Sequence, residues 1–398
     1  MEPGTGHRDQ RPRAVLLGVQ TPAGGGDAVA LAELERLADT DGLQVVGQVT
    51  QARDHPDPAT FIGAGKVAEL ADLVGERGAD LVIADAELSP GQLRNLEEAT
   101  GVRVADRTAL ILDIFAEHAR SNEGKAQVEL AQLAYQLPRL RGQGRAMSRV
   151  GGGRVAGGAG MGVRGPGEMR LETERRRLRR RMASLRDQVR DMAQRREMTR
   201  RRRSSNRIPS VALTGYTNAG KSSLLNRLAG ADVLVEDALF ATLDPTVRRV
   251  TAPEGTVFTL TDTVGFVRHL PHQLVDAFRS TLEEVARADF VVHVVDSCAP
   301  DAMGQVTAVR GVLYEIGAAQ LPELLVLNKV DCADPHTLTA LERAYPGALL
   351  VSAKTGEGVD ALRDAITRES ARITGTSVAY PAESGAEAEA RAEVESRR

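Results

Sequence analysis

The sequence predicts an α/β protein: two mostly parallel sheets flanked by helices, with a helical hairpin inserted between them. Three observations predict it. Short apolar runs alternate with helical stretches over residues 13–120 and again over 207–374. The segment between them, 121–206, switches to long helical periodicity broken by glycines. A glycine-rich turn at Gly215–Ser222 stands where an apolar strand gives way to a helix.

In the N-terminal α/β unit the candidate strands are Ala14–Val19, Gln44–Val49, Leu81–Ala84 and Val102–Val104. The candidate helices are Ala28–Ala38, Lys66–Arg77, Pro90–Ala99 and Arg107–His118. Strand–helix alternation argues a parallel sheet covered by its own crossovers. Ser89-Pro90 reads as an N-cap followed by proline at the first helical position.

The appended hairpin rests on two amphipathic stretches. Leu171, Leu178, Met182, Leu185, Val189 and Met192 form a coiled-coil-like seam, and Leu130, Leu133, Ala134 and Leu137 form a second stripe that can pair with it. Between them, residues 142–167 hold 11 glycines and no acid, which predicts a long basic loop at the hairpin tip.

In the C-terminal unit the candidate strands are Ser210–Leu213, Thr256–Thr261, Phe290–Asp296, Glu323–Leu327 and Ala348–Val351. Residues 1–12 and the Ala/Glu/Ser-rich tail 375–398 lack the apolar surface to fold and are expected to be disordered.

The net charge of −3 hides an asymmetry. Arg139 to Arg203 contains 21 arginines, no lysine and six acids, a net +15, leaving −18 on the rest. A basic block in an acidic chain points to a polyanionic partner. Two cysteines, Cys298 and Cys332, cannot build a disulfide framework and fit a reducing compartment. The polar N-terminus has no secretory apolar core, and no run approaches a membrane span, so a cytoplasmic protein is expected.

Gly215-Tyr216-Thr217-Asn218-Ala219-Gly220-Lys221-Ser222 fits the phosphate-loop pattern G-x-x-x-x-G-K-[ST] after a strand and before a helix. Glycines let backbone N–H groups wrap phosphates, Lys221 reaches the β- and γ-phosphates, and Ser222 offers its hydroxyl to Mg²⁺. Only five lysines stand against 46 arginines, and three of the five, Lys221, Lys329 and Lys354, fall in such motifs. Where the chain keeps lysine, a compact ammonium is needed. Asp262-Thr263-Val264-Gly265 closes a strand 40 residues after Ser222, placing a carboxylate for Mg²⁺ and the Gly265 N–H for the γ-phosphate. Asn328-Lys329-Val330-Asp331 is a base reader: the Asp331 carboxylate accepts from both N1–H and the exocyclic amine of guanine, a donor pair adenine lacks. Ser352-Ala353-Lys354 supplies a loop for guanine O6. In order, these four motifs define a P-loop GTPase domain that binds GTP and GDP with Mg²⁺.

Thr242, within Phe240-Ala241-Thr242-Leu243-Asp244, lies 20 residues beyond Ser222, where a switch loop completes Mg²⁺ coordination only in the GTP form. Thr246 is the competing candidate. Lys221, Thr242 and Gly265 are therefore the expected catalytic groups. Phe266 stands where Ras-like GTPases carry a water-orienting Gln, so slow intrinsic hydrolysis is expected. Asn218 is a candidate ligand for K⁺ near the β–γ bridge.

With these residues in view the chain resembles the HflX family of ribosome-associated GTPases over roughly residues 13–370. The resemblance is carried by Gly215–Asn226, Phe240–Thr246 and Asp262–Pro271, and outside the nucleotide motifs by Leu88–Leu96, Asp106–Phe115, Glu123–Leu133 and Arg164–Thr173. Obg and Era-type GTPases share the core motifs but not the others. Ala64 and Met169 depart from the family pattern, away from the nucleotide site. The resemblance implies a GTP-dependent factor that binds the 50S ribosomal subunit through 23S rRNA and splits or rescues stalled 70S ribosomes; a monomer is expected, and a ribosome- or membrane-peripheral location fits the partner. An Arg-rich, acid-free loop with Arg139, Arg141, Arg145, Arg149, Arg154 and Arg164 suits an RNA cavity. The alternatives are a large-subunit assembly GTPase and an rRNA-binding module with structural nucleotide.

Overall fold

The computed structural model describes residues 11–21, 27–150, 166–205, 208–230, 239–240, 242–243, 245–253, 255–268 and 279–375. The chain opens with β1 (Arg13–Gln20), α1 (Ala28–Thr40), β2 (Gln44–Ala52), α2 (Ala64–Arg77), β3 (Leu81–Ala84), α3 (Pro90–Thr100), β4 (Arg103–Asp106) and α4 (Arg107–His118). The strands are all parallel, in the order β2-β1-β3-β4. Ala14–Val19 of β1 are buried without alternation, as a strand covered on both faces must be. Helix α3 begins at a reciprocal capping box. The Gln92 N–H donates to Ser89 Oγ at 3.2 Å, and the Ser89 N–H donates to Gln92 Oε1 at 2.9 Å.

Two long helices follow, α5 (Asn122–Val150) and α6 (Pro166–Ser205). They pack together with Met182 and Leu185 buried in the seam. Arg181 donates twice to Glu129 at 2.6 Å, and Arg196 pairs with Glu123 at 2.6 Å. The helices extend further than the glycine count implied. Residues 142–150 and 166–167, expected in the loop, are helical, because good helix formers such as Arg, Gln, Ala and Met offset scattered glycines. Residues 151–165 fall outside the described region, as do 1–10 and 376–398, expected to be disordered. Arg139 needs correction: it is not free for RNA. It donates to Asp106 Oδ2 and Leu88 O at 3.0 Å and stacks 3.4 Å over the Tyr135 ring, anchoring the hairpin to the first sheet.

The last unit contains β5 (Ser210–Gly215), α7 (Lys221–Ala229), β6 (Thr246–Thr251), β7 (Val257–Asp262), α8 (Arg279–Ala286), β8 (Phe290–Asp296), α9 (Ala302–Glu315), β9 (Glu323–Asn328), α10 (Pro335–Ala344), β10 (Leu349–Val351) and α11 (Val359–Thr374). Its sheet runs β10-β9-β8-β5-β7-β6, parallel except for the β6–β7 pair. The sequence reading did not anticipate β6. Its centre is Arg248-Arg249, both exposed, which hides the strand pattern but suits an edge that must resist further pairing.

One buried cluster crosses from the first unit to the third, joining Leu34, Ile111 and Phe115 to Phe240, Leu243 and Phe266. Cys298 and Cys332, read from the sequence as fitting a reducing compartment, are joined by a disulfide. The loops after neighbouring parallel strands β8 and β9 emerge at the same end of the sheet, and chain order alone does not show that meeting. No helix among the described residues is long and apolar enough to cross a membrane.

Candidate nucleotide site

Every motif expected at the site follows the carboxyl end of a parallel strand: Gly215–Ser222 after β5, Asp262–Gly265 after β7, Asn328–Asp331 after β9 and Ser352–Lys354 after β10. That end is where open α/β sheets bind ligands, because the loops and helix N-termini converge there.

The phosphate loop turns through Gly220, the left-handed N-cap of α7 at φ 93°. A Cβ there would stand 2.2 Å from Asn328 Nδ2, so glycine is required both by backbone conformation and by the neighbouring side chain. Lys221 is 6% exposed, its ammonium donating to Tyr216 O at 3.0 Å and Gly215 O at 3.3 Å. Burial pushes it down to about 8, against the pull of Asp262. An incoming phosphate would reverse that shift by supplying negative charge.

Ser222 Oγ donates to Asp262 Oδ2 at 2.6 Å and lies 2.9 Å from Thr242 Oγ1. The competing Thr246 is the first residue of β6, paired with Asp262 in the strand register. Asp262 is fully buried; burial raises its carboxyl, while Lys221, Ser222 and Thr242 oppose the shift. Its Oδ1 is buried with no hydrogen-bond partner. Two hydroxyls converging on a buried carboxylate with an oxygen to spare fit an oxygen-liganded divalent cation such as Mg²⁺.

Gly265 lies against the loop: a Cβ would meet Thr217 Cα at 2.7 Å and Lys221 Nζ at 3.1 Å. Phe266 is fully buried, its N–H donating to Gly215 O at 3.1 Å and its carbonyl accepting from Thr217 N–H at 2.8 Å. Thr263 Oγ1 donates to Leu213 O at 2.7 Å, and Val264 is buried, so both side chains serve packing. Phe240 and Leu243, expected beside the nucleotide, are committed to the interdomain core; the Phe240 ring meets Phe115 edge-on at 4.5 Å. Ala241 and Asp244 lie outside the described residues. Asn218 holds a left-handed φ of 59° at the bend of the loop.

On the base side, Asn328 is 1% exposed and acts as a clamp. Its Nδ2 donates to Ala219 O at 2.8 Å, and its Oδ1 accepts from Ala353 N–H at 3.0 Å. Asp331 Oδ1 accepts from Ser352 Oγ at 2.7 Å. Val330 N–H reaches Val351 O at 3.3 Å, and Lys329 Nζ pairs with Asp296 at 2.8 Å. Asn328, Lys329, Asp331 and Ala353, with Gly220, Lys354 and Cys332, line a cavity of about 680 Å³, roomy enough for a nucleoside. The sequence reading missed Arg227, whose guanidinium donates to Ala353 O at 3.0 Å and Lys354 O at 2.6 Å, fixing the last loop. Its place in the last turn of the helix after the phosphate loop was the available signal. Glu33 and Arg107 were missed as well. Tyr216 donates its hydroxyl to Glu33, and Arg107 pairs with both Glu33 and Asp85, tying the phosphate loop to the first unit.

A strand-ended phosphate loop, a carboxylate with two hydroxyls and a carboxylate base reader define a P-loop GTPase. Protein-family profiles agree along the chain: a GTP-binding GTPase N-terminal region matches 28–116, a GTP-binding GTPase middle region 118–203, and a 50S ribosome-binding GTPase domain 210–329. The chain is 48% identical over 360 residues to the GTPase HflX of Caldanaerobacter subterraneus subsp. tengcongensis, covering 90% of this chain and 81% of that protein. It is 42% identical over 362 residues to the GTPase HflX of Escherichia coli, covering 90% and 83%. The chain belongs to the HflX family of GTPases. Among solved structures, a GTP-binding protein from Sulfolobus solfataricus in complex with GDP aligns over 91% of this chain and 99% of its own, at 24% identity and a TM-score of 0.44.

Proposed function

We propose that this GTPase is a switch that associates with the 50S ribosomal subunit through its arginine-rich hairpin and dissociates or rescues stalled 70S ribosomes. It is read as three working units, an α/β unit (13–120), the hairpin (121–206) and the GTPase unit (207–374). The observation that carries the reading is a continuous set of contacts from nucleotide loop to hairpin. Tyr216 bonds Glu33, Glu33 bonds Arg107, and Arg139 of α5 grips Asp106, the residue preceding Arg107. A change at the phosphates therefore has a packed route to the hairpin. Exposed Arg176, Arg177, Arg179, Arg180, Arg186 and Arg190 along α6 supply charge for an RNA backbone.

Within the site, Lys221 holds the β- and γ-phosphates, and Gly265 N–H meets the γ-phosphate. Ser222, Thr242 and Asp262 are the residues that would hold Mg²⁺, directly or through water, and a bound ion there would supply positive charge against the phosphates. Asp331 reads guanine N1–H and N2–H. Phe266 has its ring in the core and cannot orient water, so hydrolysis waits on order supplied from elsewhere.

Pelleting with mature 50S and 70S particles, in a non-hydrolysable GTP analogue, GDP or no nucleotide, tests the reading. Analogue-dependent 50S binding with loss of 70S particles is expected. Binding only to precursor subunits would assign an assembly role, and nucleotide-independent binding would make the chain an RNA-binding module. Deleting 145–165 should spare GTP binding and reduce ribosome action.

A further inference from the structure

The chain has only two cysteines in 398 residues, and the fold brings both to the rim of the base cavity. Cys332 directly follows the base reader Asp331 and lines the cavity. Cys298 lies in the loop after β8. Both are exposed, so small oxidants and reductants can reach them. The two loops they occupy are already held together: Ser297 N–H donates to Asn328 O at 3.0 Å, and Lys329 Nζ pairs with Asp296 Oδ2 at 2.8 Å. Both cysteine sulfurs lie 3.4 Å from Lys329 O, which accepts from Cys332 N–H at 3.1 Å, at a residue held in the left-handed region at φ 67°. The Cα atoms stand 6.4 Å apart, within ordinary disulfide reach.

We infer that Cys298 and Cys332 form a reversible redox staple that locks the base-reading loop and slows release of bound guanine nucleotide. The closed staple coexists with the arrangement that reads the base. Asp331 is oriented by Ser352, and Asn328 clamps Ala219 and Ala353 while the disulfide is in place. Oxidation therefore restrains a competent loop rather than distorting it. Nucleotide leaves when that loop opens away from the base, and a covalent tie to the β8 end opposes the motion.

The oxidant is a low-molecular-weight disulfide. The thiolate of one cysteine attacks it, breaking its S–S bond, forming a mixed disulfide and expelling one small thiolate. The second cysteine's thiolate then attacks the protein sulfur and expels the other small thiolate. The two protein thiols lose two protons and two electrons; the small disulfide takes up both electrons, and its thiolates take up the protons.

Linkage makes the effect reciprocal: a staple that tightens nucleotide binding is itself favoured by nucleotide. The whole chain is equilibrated in oxidised and reduced glutathione, and dissociation of a fluorescent GDP analogue is followed by stopped flow. Ring closure is read as loss of two hydrogens in the intact mass. The oxidised protein is expected to release the analogue about fivefold more slowly with an unchanged association rate, so that equilibrium affinity rises by the same factor, at the lower end of common coupling strengths. Dithiothreitol should restore fast release, and Cys298→Ser should abolish the slowing. Saturating GDP should lower the reduction midpoint by about 20 mV, the same fivefold at roughly 30 mV per tenfold for two electrons. A glutathione adduct without ring closure, or closure with unchanged release, would overturn the staple. The inference rests on the guanine assignment, which is checked separately in reduced protein. If Asp331→Asn leaves GDP binding there unaltered, the base assignment fails; if it weakens binding while release ignores oxidation, only the staple fails.

Discussion

Tyr216, the second residue of the phosphate loop, donates its hydroxyl to Glu33 of α1 at 2.5 Å, and the same oxygen accepts from Arg268 N–H at 2.7 Å. Glu33 is also paired with Arg107, a guanidinium 5% exposed that is raised above its ordinary value by Glu33 and Asp85 despite the opposing cost of burial. The phosphate loop and the N-terminal unit thus share one buried ionic network.

Tyr216→Phe removes one member of that network and leaves both Glu33 and Arg268 N–H short of a partner. A cost of about 1–3 kcal/mol and a melting temperature lower by a few degrees are expected. Arg107→Ala should cost more, about 3–5 kcal/mol, because Glu33 and Asp85 would stay buried without the guanidinium that offsets their charge. Thermal unfolding of the two variants checks the order, and equal effects would contradict it.

Asp331→Asn replaces the base-reading acceptor with an amide. GTP affinity should fall by about 1–3 kcal/mol, and xanthosine triphosphate, with a C2 carbonyl that an amide can meet, should gain. Competition titration against a fluorescent guanine nucleotide measures both; retained GTP preference would refute the assignment.

Lys221→Ala should abolish nucleotide binding, whereas Thr242→Ala should leave GDP affinity near wild type and lower GTP turnover at least tenfold. The difference arises because Thr242 completes the Mg²⁺ shell only with a γ-phosphate present. Chelating Mg²⁺ should stop turnover in the wild type. Calorimetry and phosphate release distinguish these outcomes.

Asn218 occupies the bend of the phosphate loop in a left-handed conformation, where its amide oxygen can meet a monovalent cation beside the β–γ bridge. Since Phe266 cannot order water, K⁺ should raise turnover several-fold over Na⁺ at equal ionic strength. Equal rates in the two salts would remove Asn218 from the mechanism.

Asp41, at the C-terminus of α1, is pushed up to about 7 by burial and by the nearby Asp113 and Glu117 carboxylates, with Arg103 opposing. A folded-state value above the unfolded 3.8 means the folded protein binds the proton more tightly. This contribution is full below about pH 3.8 and fades as pH rises through about 7. Asp41→Asn should therefore stabilise the protein at pH 8, by about 1 kcal/mol after allowing for solvent screening at a half-buried site, and little at pH 5. Melting temperatures at the two pH values read it directly.

Local chemistry made much of this molecule legible from the chain alone. Helix α4 and strand β8 begin and end where the pattern placed them, at Arg107–His118 and Phe290–Asp296, because capping residues and unbroken apolar runs are local signals. The phosphate loop and the base reader were legible for the same reason: phosphate wrapping and guanine reading demand particular residues at short spacing. Strand β6 was not, since its edge position calls for charge where pattern reading looks for apolar alternation.

Only the tertiary structure decided which residues far apart in the chain share an environment. It took Arg139 from the expected RNA surface and set it on Asp106, put Phe240 against Phe115, bound Tyr216 to Glu33 and joined Cys298 to Cys332. A side chain's role in each case depends on what covers it, and covering is a property of the packed sheets and helices. The sequence by itself determined the chemistry of the nucleotide site; packing determined what that site is connected to.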